Sequence, residues 1–188
     1  NKIKFTVKEV KNKFYENNDF TLEAYSMKHS APCNAYSLIE KPRRKINLSY
    51  LKKFNLKKHP LLGKLQKGQD IVYKGKKIKA KDATYFVPGK KITYITDTLS
   101  SPNCIKAAKN SDILICESTC SSELKDKAKE YLHLTSEEAA LIAKKAKVKK
   151  LILTHFSQRY KSVDSMEKEA KKIFKNTGLA EDFMTINI

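Results

Sequence analysis

Five side chains stand where they can do chemistry rather than pack. Asp97 follows the apolar run Ile92 to Ile95, Glu117 closes the run Ile113 to Cys116, and His155 follows Leu151-Ile152-Leu153-Thr154. Each run reads as a strand buried on both faces. His29 ends the segment FTLEAYSMK, and His133 lies just ahead of a helix start. Ligands in open α/β sheets gather at strand ends, so each of these residues is placed to reach a metal or a substrate. Taken singly, each also has a plain role: an ordered loop histidine, or a polar residue ending a strand. Together, carboxylates and imidazoles gathered on one rim form a donor set that suits a transition metal such as Zn²⁺.

The elements that must position these residues follow from the same pattern. Strands are predicted over 3 to 10, 20 to 28, Asn34 to Ile39, Ile92 to Ile95, Ile113 to Cys116, Leu151 to Thr154 and Phe183 to Ile188. A helix starts at Ser101-Pro102 and runs through Lys109, with proline at its first position. Thr135-Ser136-Glu137-Glu138 is a capping box opening a helix to Ala146, with Ala139, Ile142, Ala143 and Ala146 on one face. An amphipathic helix is expected from Val163 to Phe174. Sequential strands with helical crossovers bring their C-terminal ends to one rim, so the polar groups converge there.

Lysine and arginine number 39 against 20 acids, a net charge of +19. From Lys41 to Lys91, 17 lysines and arginines face two acids, Asp70 and Asp82. A general lysine bias brings glutamate with it, and this segment has none after Glu40, so a nucleic acid contact is the favoured reading. Within it a short helix is expected over Ile46 to Phe54 and a hairpin over Tyr73 to Ile78 with Gly75 at the turn. Its apolar stretches, Leu48 to Phe54 and Leu61 to Leu65, are too short for a core of their own, which predicts a protruding arm. No apolar run reaches the roughly 20 residues of a membrane helix, and a soluble cytoplasmic protein is expected. Cys33, Cys104, Cys116 and Cys120 form no CxxC pair, and reduced, mostly buried thiols are expected.

The phrases YITDT, ICEST, YLHLTSEEAALIAKKA and LILTHFSQRY, in this order, together with AYSMKHSAP and HPLLGKLQKG, resemble the ribonuclease Z family of the metallo-β-lactamase superfamily. These enzymes are endoribonucleases that remove the 3′ trailer of precursor tRNA. The resemblance runs from about Thr21 to the C-terminus. It implies an α/β fold, the second half of an αβ/βα sandwich, with a basic tRNA-binding arm over 41 to 81. It further implies His29, Asp97 and His155 as ligands of two Zn²⁺, or Mn²⁺ in their place, with His133 as proton donor and Glu117 orienting it. Ser157 and Arg159 would meet a phosphate, and Arg43, Arg44, Lys57, Lys58, Lys64 and Lys67 would grip precursor tRNA from the arm. The family forms homodimers, which implies the same here.

One departure bears on activity. The superfamily's HxHxDH motif is absent, and the four histidines, His29, His59, His133 and His155, are isolated. At most two protein ligands per metal come from this sequence, whereas catalytic zinc sites have three. The expectation is that an HxHxDH-bearing half, in the same chain or a second one, completes the site, and that these 188 residues alone bind zinc weakly and do not cleave RNA. The alternative is a noncatalytic RNA- or tRNA-binding module in which a degenerate site persists.

Overall fold

The computed structural model of the chain describes residues 6–188, which divide into two units, residues 6–40 with 90–188, and Lys41–Gly89. In the first unit β1 (Asn12–Glu16), β2 (Phe20–Met27) and β3 (Cys33–Glu40) form an antiparallel meander. The strand expected over 3 to 10 is not found: residues 6 to 11 form no strand, and 3 to 5 lie outside the described residues. The first strand instead begins at Asn12, where pairing with β2 and the ring contacts Phe14–Tyr36 and Tyr15–Phe20 order the largely exposed segment NKFYE.

The second unit contains β4 (Arg43–Ile46), α1 (Leu48–Leu51), α2 (Leu61–Gln66), β5 (Ile71–Tyr73), β6 (Lys76–Ile78), α3 (Ala80–Ala83) and β7 (Thr84–Val87). Asn47 caps α1 by accepting from the Tyr50 N–H at 3.0 Å. Strands β5 and β6 form the expected hairpin, and Lys74 and Gly75 at its tip both have positive φ, as a two-residue primed turn requires. The expectation that this segment lacks a core is corrected. Leu51, Leu56, Leu65, Ile71, Ile78, Ala80 and Ala83 are buried in one cluster. Each apolar stretch is short, but β4 pairing with β7 closes the segment and lets all of them share one interior.

The chain returns to the first unit through β8 (Lys91–Ile95), α4 (Pro102–Ala108), β9 (Ile113–Glu117), α5 (Lys125–Glu130), α6 (Ser136–Lys145), β10 (Lys150–Thr154), α7 (Asp164–Ile173) and β11 (Thr177–Leu179). Here β3 pairs antiparallel with β8, and β8, β9, β10 and β11 run parallel, completing a seven-stranded mixed sheet in the order β1-β2-β3-β8-β9-β10-β11. Thr135 and Glu138 make the expected capping box, and Ala139, Ile142, Ala143 and Ala146 are buried on the inner face of α6. The strand expected over Phe183 to Ile188 is not formed. Phe183 is fully exposed, and Thr177–Leu179 takes the edge position instead, where Gly178 fits close to Ile152.

The helices cover one face of the sheet, over Ala35, Ile95, Leu114, Cys116, Leu151 and Leu153. Each of the larger aliphatic side chains contributes roughly 1.5–3 kcal/mol by leaving water. Two hydroxyls on that face, Ser37 and Thr93, lie 2.8 Å apart with the Ala107 carbonyl within hydrogen-bond reach of each, so both hydroxyl protons have an acceptor. On another part of the sheet Phe14, Tyr36, Leu38 and Tyr94 remain partly exposed. All four cysteines are free, Cys33 half-buried and the others buried.

Candidate metal and phosphodiester site

Register sets the rim. Ile95, Cys116 and Leu153 lie side by side across β8, β9 and β10, and Glu117 faces Thr154 one step further. The chain then leaves all three strands together, delivering Asp97, the segment Ser118 to Cys120, and His155 to one place. Backbone hydrogen bonds tie these exits to one another. The Ser118 N–H donates to the Thr154 carbonyl, Ser157 N–H to the Thr119 carbonyl, and Ser136 N–H to the Cys120 carbonyl. A bridge between Lys28 and Leu99 brings the His29 turn beside the Asp97 loop.

One ligand atom each from Asp97, His133 and His155 lies within 4.8 Å of the others. The His155 Nε2 is 3.3 Å from Asp97 Oδ1. The His133 ring stands 5.3 Å from that of His29 and 5.4 Å from that of His155, centroid to centroid. Five of the residues picked from the sequence, His29, Asp97, Glu117, His133 and His155, are thus brought together.

The centre of the arrangement is Glu117, which is fully buried. Its Oε1 accepts from the Thr98 N–H at 2.7 Å and from His133 Nδ1 at 3.2 Å. Its Oε2 accepts from the Thr119 hydroxyl at 2.8 Å and the Thr119 N–H at 3.3 Å. A buried carboxylate is costly unless its lone pairs are used, and here four donors use them. Thr119 Oγ1 also lies 2.9 Å from His155 Nδ1. Its single hydroxyl proton goes to Glu117, so the histidine must donate to the threonine oxygen. The Nδ1 of His29 lies 3.3 Å from the Leu132 carbonyl, which can only accept. All three imidazoles therefore spend Nδ1–H on an oxygen of the protein, and each keeps Nε2 for the site.

This donor set suits a metal. On the assigned tautomer, the lone pairs of His155 Nε2 and Asp97 Oδ1 point at each other across 3.3 Å, an arrangement that a cation between them stabilises. Imidazole nitrogen with carboxylate oxygen fits Zn²⁺. Backbone strain occurs here as at several other positions: Leu132 and His155 have φ of +60° and +59°, a conformation that costs non-glycine residues of order 1–3 kcal/mol. Both residues adjoin or carry an imidazole, so the strain is located where side-chain aim matters.

Ser157 and Arg159 sit together beside the rim, with the Arg159 Nε–H donating to Ser157 Oγ at 2.9 Å. In the second unit Arg43, Lys57, Lys58, Lys64 and Lys67 are exposed. Arg44 is engaged internally. It donates to Thr84 Oγ1 at 2.8 Å and lies 4.4 Å from the centre of the Phe86 ring. Several residues at the site carried no sequence signal. Thr119 is one threonine after a strand, and Tyr160 and Glu169 are distant in sequence from what they hold. The Ser121 N–H donates to the Tyr160 hydroxyl at 3.0 Å, and Glu169 accepts from the Ser122 N–H, the Ser122 hydroxyl and the Ser136 hydroxyl. The capping box, which places Ser136 at the first turn of α6, is the one local signal that touches this network.

A mixed sheet with helices on one face and a histidine- and aspartate-bearing rim at its parallel strand ends defines a metallo-β-lactamase-type fold. In structure the chain matches the short form of human tRNase Z (TM-score 0.57, 26% identity, 94% of this chain and 46% of that one). A metallo-β-lactamase fold protein of Bacillus subtilis matches in fold, with TM-score 0.57 and 20% identity over 89% of this chain and 49% of the other. In sequence the chain is similar to ribonucleases Z. It is 40% identical to the one of Archaeoglobus fulgidus over 174 residues and 36% identical to the one of Lactobacillus gasseri over 194. These matches take in 90% and 99% of this chain but 56% and 62% of the relatives, so the chain spans little more than half their length. No family model matches.

Proposed function

We propose that the chain forms part of a zinc-dependent endoribonuclease that cuts the 3′ trailer from precursor tRNA by hydroxide attack on a phosphodiester. The observation that carries this reading is the three-histidine rim, with each Nδ1–H assigned to a fixed oxygen and Nε2 left for the site. His29, Asp97 and His155 would hold metal, which when bound supplies a nucleophile at neutral pH and neutralises charge on the scissile phosphate. His133 has Nδ1 anchored on the buried Glu117, and from Nε2 it would hand a proton to the leaving 3′ oxygen. Ser157 and Arg159 would hold a phosphate, the arginine by its planar fork. The second unit, residues 41 to 81 above all, would bind the tRNA through its exposed cations, sequence-independently and with strong salt dependence.

Donor count supports completion of the site by a further HxHxDH-bearing half. His29, Asp97 and His155 fall short of three protein ligands on each of two metals. The partly exposed Phe14, Tyr36, Leu38 and Tyr94 accord with a further protein layer. A homodimer in the cytoplasm completes the reading; among the described residues no helix is long and apolar enough to cross a membrane. The test is cleavage of precursor tRNA by this chain combined with the HxHxDH-bearing half of a relative. Cleavage is expected, with Asp97→Ala stopping it while tRNA affinity stays. No cleavage by the combination while tRNA binding is kept would instead favour a noncatalytic RNA-binding module, and cleavage that survives Asp97→Ala would contradict the metal role of Asp97.

A further inference from the structure

Beside His133 the surface opens into a pocket of about 290 Å³. Thr119, Cys120, Lys127, Tyr131, His133 and Arg159 line it. Lys127 and Tyr131 are one helical turn apart at the end of α5, and both are exposed, Tyr131 at 57%. Arg159 comes from the loop after β10, its Nε fixed on Ser157, which leaves its two terminal NH₂ groups for a ligand. Lys127 and Arg159 both line this one cavity, so two cations face it. A pocket holding an aromatic face, two cations and an imidazole shared with the metal rim has the chemistry of a single unstacked nucleotide site.

We propose that this pocket holds one nucleotide next to the scissile phosphodiester, its base stacked on Tyr131 and its phosphate between Lys127 and Arg159. The inference rests on the phosphodiesterase reading of the adjacent rim. Stacking is tolerant of base identity, so the site would grip whichever base lies there, while the phosphate contact would set how far the backbone enters toward His133. Neither Lys127 nor Tyr131 has a counterpart in the chemistry of the metal rim itself, and their contribution is to substrate placement.

The experiment compares three ligands on the whole chain in chelator: adenosine 5′-monophosphate, ribose 5-phosphate and inorganic phosphate. Adenosine 5′-monophosphate is expected to bind about tenfold more tightly than ribose 5-phosphate, the difference being the stacked base. Tyr131→Ala should erase that preference and Tyr131→Phe should keep it, while Lys127→Ala should weaken the two ligands equally. Equal binding of all three ligands, or a preference that survives Tyr131→Ala, overturns the proposal. Zinc titration of Asp97→Ala, run alongside, separates this from the rim. Unchanged zinc affinity there defeats the metal reading whatever the pocket does, whereas lost zinc affinity with no nucleotide preference defeats only the pocket.

Discussion

Thr119 has a single hydroxyl proton, and giving it to Glu117 forces His155 to donate from Nδ1. The aim of a histidine is thus set two bonds away by a buried carboxylate, the kind of outer support that governs metal affinity. Thr119→Val keeps the shape and removes this link. It is expected to lower zinc affinity by about 10- to 100-fold with a change in Tm of only a few degrees, as read by calorimetric titration and thermal melting. An unchanged zinc affinity would mean that His155 needs no help. Glu117→Gln has a different expected signature. It turns an acceptor for four donors into a group that must itself donate, so stability should fall by about 1–3 kcal/mol in denaturant unfolding.

At the scale of elements, α7 reaches the rim through Glu169, which ties the Ser122 loop to the start of α6. Burial raises the carboxyl's pKa, but bonds from the Ser136 hydroxyl and from the Ser122 N–H and hydroxyl outweigh it, with Lys172 adding to them, and the net shift is downward. A carboxyl depressed in the folded state binds its proton more readily when unfolded. Its stabilisation is therefore fully present above the ordinary glutamate pKa and is lost as pH falls through the folded value. Asp112 has the same sign: burial raises it, while Lys149, the Lys91 N–H and Lys90 bring it down. Glu169→Gln should flatten the loss of stability below about pH 4.5, measured as Tm against pH; a slope equal to that of the unaltered chain would remove Glu169 from the account. Elements whose apolar period is strong were legible in the sequence, as β9 and β10 show with their buried runs and α6 with its capping box. Strand β1 was not, because all five of its residues are exposed and it is ordered by pairing with β2 and by ring contacts to Tyr36 and Phe20 that no local pattern shows. FMTINI read as a strand on residue preference, yet the edge went to Thr177–Leu179, which packs on β10. In the site, Asp97, Glu117, His133 and His155 could be read from type and position, whereas Thr119, Glu169 and Tyr131 acquire meaning only from what the fold sets beside them.

For the molecule as a whole, charge and chemistry are separated between two units, each with its own core. Leu65 is fully buried in the smaller core, and Leu65→Ala should cost that unit about 2–5 kcal/mol. Hydrogen exchange should then speed up in β5 and β6 while amides of β9 and β10 stay protected; loss of protection in both at once would contradict the division. The larger unit holds the rim on which the functional reading depends. The most direct measurement is zinc binding by the chain, followed calorimetrically for the unaltered protein, Asp97→Ala and His155→Ala. Each substitution is expected to lower zinc affinity at least about tenfold while the fold persists. Zinc affinity unchanged in both would contradict a metal site at this rim.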